Sequence, residues 1–220
     1  LNKVIYNEIV KTQMPKETEE LINIRNLINK KYILDESQIT YAKIDNFKNN
    51  FDGFKHKPSN KYEIFSLNYY EINHFAILEK SKKRTKKLLI YNQGHGGNPY
   101  NFSYFIEIKN KFLSEGYDVM SLAMTGLGYN KDKKIKFPNY NPELDTSLHK
   151  SYSTYYDPKF PNKKPLSLIL SGNYYLIKKI LNNNLYDEVI MVGISGGGWY
   201  TTLISSLSFR YLSTLVFNLW

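Results

Sequence analysis

The run Gly193-Ile194-Ser195-Gly196-Gly197 lies between an apolar segment, Glu188 to Val192, and a helix-compatible stretch, Gly198 to Leu207. That order reads as strand, serine, helix. A serine at so sharp a turn must take a strained backbone angle, and Gly193 and Gly197 leave room for the strand and helix to approach one another. The hydroxyl is thereby presented to a substrate. The amide of Gly196 falls at the helix N-terminus, where unpaired N–H groups and the helix dipole favour negative charge on a reacting oxygen.

Gly-x-Ser-x-Gly is short enough to arise by chance, so its context decides. Earlier in the chain a second apolar strand, Leu88 to Tyr91, runs into Asn92-Gln93-Gly94-His95-Gly96-Gly97, then Asn98-Pro99 and an amphipathic stretch ending at Gly116. Glycines at such a place let backbone amides converge on one point, as stabilising a tetrahedral oxyanion requires. A tight strand-to-helix turn or a phosphate-cradling loop would look similar. No Lys-Ser or Lys-Thr follows the glycines, which leaves a P-loop unsupported.

With both motifs in this order, and strand-helix-strand-helix patterning between them, the chain from about Tyr62 to Trp220 resembles the α/β-hydrolase family. The resemblance implies a mostly parallel sheet flanked by helices, and acyl transfer to water through an acyl-serine on Ser195. The amides of Gly196 and of the Gly96-Gly97 region would hold the oxyanion, and His95 would orient the loop or be a simple turn histidine. The implied partner is a small acyl ester, with no metal and no cofactor. Two rivals stay open, an acyltransferase using the same serine and a non-catalytic binding module on a hydrolase scaffold.

The remaining segments agree with that fold. Tyr62–Leu67 and Glu71–Leu78 form an expected antiparallel pair, and Tyr117 to Met124 reads as a strand covered on both faces. The helix after the glycine loop carries Phe102, Phe105, Ile106, Phe112 and Leu113 on one stripe, with Pro99 near its start. Leu166 to Leu181 forms another helix and Ser213 to Phe217 a last strand. Residues 126–165 show no sustained period and read as a long excursion whose tyrosines, Tyr140, Tyr152, Tyr155 and Tyr156, could line a pocket. Residues 1–60 are read as an N-terminal extension, with a helix over Thr18 to Ile28 whose Leu21, Ile24, Leu27 and Ile28 face one side.

In this family the nucleophile precedes the acid and then the histidine. Gly196 to Trp220 contains no Asp, Glu or His. The expectation is therefore that the acid and base lie outside this sequence, that the fold is truncated after the helix and strand following Ser195, and that the fragment alone is inactive. His149 with Asp145 or Asp157 is the weaker substitute. His56 and His74 have no partner pattern.

The 220 residues suffice for one α/β core and a small appendage. No apolar stretch reaches eighteen residues, so no transmembrane span is coded here. Absent cysteines exclude disulfides and thiol catalysis without selecting a compartment, and a signal peptide upstream of Leu1 stays open. The net charge of +10 sits largely in loops such as Lys80–Lys87 and Lys131–Lys136, unaccompanied by any nucleic-acid motif. Solvated loop charge, with no nucleic-acid partner, is the reading adopted.

Overall fold

A computed structural model describes residues 19–32, 39–43, 53–58, 61–69, 72–83, 85–130, 134–135, 144–145, 165–184, 186–207 and 212–217. Helix α1 spans Glu19–Tyr32, and strands β1 to β5 span Ile39–Lys43, Tyr62–Tyr69, Ile72–Glu79, Lys87–Asn92 and Tyr117–Leu122. Helix α2, Ser103–Ser114, joins β4 to β5. Two-residue strands β6 (Lys134–Ile135) and β7 (Leu144–Asp145) pair with each other, and are followed by α3 (Pro165–Asn183), β8 (Glu188–Ile194), α4 (Gly196–Ser206) and β9 (Leu212–Phe217).

The main sheet has seven strands in the order β1-β2-β3-β5-β4-β8-β9. β5, β4, β8 and β9 run parallel, while β1, β2 and β3 form an antiparallel wing. Within the wing only two residues separate β2 from β3, too few for the crossover that parallel neighbours need. The parallel half needs crossovers, which α2, α3 and α4 supply.

Alternate residues of β4 and β8 enter two cores. Leu88, Ile90, Val189 and Met191 face α3 and α4, whereas Leu89, Tyr91, Ile190 and Val192 face α2. Covering on both sides accounts for their unbroken apolar runs.

Three local features differ from the pattern read in sequence. Ile39–Lys43, within the segment read as an extension, is the outer strand of the sheet, in register with β2. The helix expected to continue from Pro99 is interrupted: Pro99–Asn101 forms a 3-10 turn capped by the Asn98 side chain, and Phe102 is extended before α2 begins. Along α1, Ile24 and Leu27 are 44% and 68% exposed, so these two apolar positions are not buried by the sheet.

The α2 stripe buries Phe105, Phe112 and Leu113 as patterned, but also Lys109. Its ammonium lies 3.0 Å from the Glu79 carboxylate at the end of β3, and the Tyr100 hydroxyl donates to the same carboxylate at 2.8 Å. Burial, then the negative Glu79, pushes the Tyr100 phenol pKa upward, keeping it a neutral donor. Phe54 stacks on Tyr100 at 5.3 Å between centroids. This cluster secures the segment directly after the glycine loop.

The excursion is described as far as Asn130, and again at the β6–β7 pair and from Pro165. Asn130 accepts from the Phe75 amide at 2.7 Å and donates to the Ala123 carbonyl, as does Asn173 of α3. Its tyrosines, Tyr140, Tyr152, Tyr155 and Tyr156, lie outside the described residues.

Candidate active site

β8 delivers Ser195 to the tip of a turn with φ 55° and ψ −128°. Holding a non-glycine residue there costs about 1–3 kcal/mol, a strain that persists only where the surroundings enforce it. Those surroundings are β8 below and α4 beyond. The Ser195 carbonyl accepts from the Gly198 amide at 2.8 Å, closing the first turn of α4. Ser195 is exposed, and the Gly196 amide opens the helix without an intrahelical acceptor.

The glycine loop meets this turn because β4 and β8 are parallel neighbours with Asn92 opposite Gly193. Both strands thus release their loops at the same end of the sheet. The basic turn before β4, with Lys82, Lys83 and Lys86 exposed, lies at the other end.

Gly94 makes the contact. A Cβ on Gly94 would stand 2.5 Å from the Ile194 carbonyl oxygen, 2.9 Å from the Ser195 Cβ and 3.0 Å from the Gly196 nitrogen. No side chain fits. Gln93 fixes the approach, its amide donating to the Leu122 carbonyl at 2.9 Å and its side chain bonded between the Tyr91 and Tyr104 hydroxyls. Burial holds the Tyr91 phenol pKa far above its ordinary value, so it too remains a neutral donor.

His95 is half-buried beside the elbow: a Cβ on Gly196 would be 2.5 Å from its Cε1, 2.7 Å from its Nδ1 and 3.1 Å from the Met124 sulfur. Gly96 is exposed, and a Cβ there would meet the Phe102 ring. Gly97, at φ 91°, donates its amide to the Gly94 carbonyl at 3.2 Å and packs against Gly128. Ser195, Gly196, Gly94 and His95 are therefore contiguous, whereas the Gly97 N–H already has an acceptor within the loop.

The other described histidines, His56 and His74, stand apart from this cluster. His56 is exposed, its backbone amide donating to the Tyr100 carbonyl. His74 is fully buried on β3 under α3, and desolvation lowers its pKa to about 4. His149 and Asp157 lie outside the described residues, and Asp145 closes the short β7. Sequence reasoning passed over Asn92, Thr201, Glu79 and Lys109. Of these only Lys109 left a signal, as a cation four residues after Phe105 on an otherwise apolar stripe.

No protein-family model and no curated protein matches the sequence. Solved structures do. Acetyl xylan esterase 1 from a Thermoanaerobacterium species superposes with a TM-score of 0.54 at 16% identity, over 91% of this chain and 62% of that one. A putative acetyl xylan esterase from Bacteroides fragilis gives 0.53 at 13% identity, over 93% and 57%.

The fold is that of the α/β-hydrolases. The chain spans about three fifths of the length of these two structures. β8 leads directly into Ser195, and α4 follows from Gly196. Among the described residues no helix is long and apolar enough to cross a membrane.

Proposed function

We propose that this chain carries the nucleophile and the oxyanion loop of a serine ester hydrolase. The observation that carries the reading is the strained, exposed Ser195 at the β8–α4 turn, in van der Waals contact with a second glycine loop from the neighbouring strand. Backbone strain of this kind clusters at active sites.

The Ser195 oxygen attacks the acyl carbon while a general base accepts its proton, the carbonyl oxygen becomes an oxyanion, and its collapse expels the alcohol with that proton. Water then releases the acid from the acyl-serine. The Gly196 amide, reinforced by the α4 dipole, is one oxyanion donor. Gly96 and the loop backbone just before it supply the other, since the Gly97 N–H is turned to the Gly94 carbonyl. His95 orients this loop by laying its ring across Gly196. An acyl ester carried by a saccharide is the proposed substrate class, in keeping with the acetyl xylan esterases whose fold is shared.

A fluorophosphonate probe tests the reading in the full protein. Ser195 should be labelled, acetate should be released from acetylated oligosaccharides, and Ser195→Ala should abolish both. Labelling that survives the substitution would remove Ser195 as the nucleophile.

A further inference from the structure

The two loops of the candidate site leave adjacent strands, but adjacency alone does not set the gap between a loop amide and the Gly196 amide. That gap matters because an oxyanion donor must sit about 2.7–3.1 Å from a position occupied only in the transition state. One buried contact spans the two motifs directly. Asn92, the last residue of β4 and two before Gly94, donates from Nδ2 to the Thr201 Oγ1 at 2.8 Å, across 109 residues of sequence. Both side chains are out of solvent, at 1% and 0% exposure.

Thr201 stands in the second turn of α4, so its hydroxyl is rigidly tied to the helix that begins with the Gly196 amide. The same hydroxyl packs against Gly193, the register partner of Asn92, where a Cβ would be 2.4 Å from Oγ1. The main chain of Asn92 is gripped as well, its carbonyl oxygen lying 2.1 Å from where a Gly197 Cβ would be. Strand end, elbow and helix thus meet at one three-way contact. It has a cost: the Asn92 Oδ1 is buried without a hydrogen-bond partner among the described residues, which an apolar pair of similar shape would avoid.

We propose that the Asn92–Thr201 hydrogen bond is a positioning clamp that fixes the spacing between the two halves of the oxyanion hole. Neither residue touches the substrate. Each acts through the backbone it anchors, Asn92 through the loop that begins at Gln93 and Thr201 through the first turn of α4. The inference rests on the ester-hydrolase reading above and assigns to these two residues a part of its rate.

The test compares Thr201→Val, which keeps the shape and removes the hydroxyl, with Thr201→Ser, which keeps the hydroxyl. A third variant, Asn92→Leu with Thr201→Val, removes the bond and leaves no polar group unpaired, so that folding is protected. Each is assayed in the full protein with p-nitrophenyl acetate, well below its own melting temperature, with the folded fraction set by circular dichroism and the active fraction by phosphonate titration. A misplaced oxyanion donor lowers kcat and leaves KM unchanged. The expected result is a fall in kcat of about tenfold or more for Thr201→Val and for the double variant, with KM within about twofold and Thr201→Ser close to the parent. A purely structural contact would lower the melting temperature and leave kcat per folded molecule intact, and that result overturns the clamp while sparing the hydrolase. A parent protein that neither labels nor turns over ester overturns both.

Discussion

The Lys109 ammonium and the Glu79 carboxylate form an ion pair 3.0 Å long with side-chain exposures of 1% and 0%, between α2 and the end of β3. The Tyr100 hydroxyl donates to the same carboxylate, and the Lys109 ammonium lies 5.5 Å from the Tyr100 ring centroid. Removing one charge strands the other away from water. Lys109→Met should therefore cost about 3–5 kcal/mol in a urea titration, whereas Lys109→Met combined with Glu79→Gln should recover most of that loss. Equal losses in the single and double variants would show that the pair is not the determinant.

This pair also marks the boundary of what patterning can reveal. The strand, the tight turn at Ser195 and the helix after it were legible because their pattern is local: glycines flank a serine, and apolar residues follow the period of each element. The two-sided burial of β5 was legible for the same reason. The burial of Lys109 was not, although the cation interrupts an apolar stripe, because it depends on Glu79, thirty residues away in sequence. Nor could the sequence tell which glycine of the loop would touch Ser195. That follows from the β4–β8 register, which brings Asn92 beside Gly193 and so lands Gly94 on the elbow, while Gly97 folds back on Gly94. Strand β1 was missed because a five-residue segment acquires its identity only by pairing with β2.

Gly94 supplies the sharpest steric test. Gly94→Ala places a methyl group 2.5 Å from the Ile194 carbonyl oxygen and 2.9 Å from the Ser195 Cβ, both on backbone-anchored atoms that cannot swing aside. Phosphonate labelling should slow by about 100-fold as the loop is pushed from the elbow. A labelling rate unchanged from the parent would show that the Gly94 contact does not set the geometry of the site.

The backbone at Ser195 makes a prediction about stability that runs against activity. Its φ of 55° is unfavourable for alanine as for serine and open to glycine. Ser195→Gly should be more stable than Ser195→Ala by about 1 kcal/mol, the relief of strain being partly offset by the greater freedom of glycine in the unfolded chain. Both variants should be inactive. Thermal unfolding of the two side by side checks the point, and an alanine variant at least as stable as the glycine would mean that the turn is unstrained.

Acid should weaken the fold through His74. The imidazole is fully buried between β3 and α3, its Nδ1 lying 3.4 Å from the Thr125 hydroxyl, and desolvation lowers its pKa from 6.5 to about 4. The unfolded chain binds a proton there below pH about 6.5, whereas the folded chain resists it until about pH 4, so acid favours the unfolded state. The contribution is fully present above pH 6.5, declines as the pH falls through the window to 4, and levels off below it. Its full size is about 3 kcal/mol. Urea midpoints for the parent and His74→Gln at several pH values across this window measure the effect, with carboxylate titration common to both. The difference between the two proteins should change by that amount from neutral pH to pH 4, because glutamine carries no titrating proton. Parallel curves would place the acid sensitivity elsewhere.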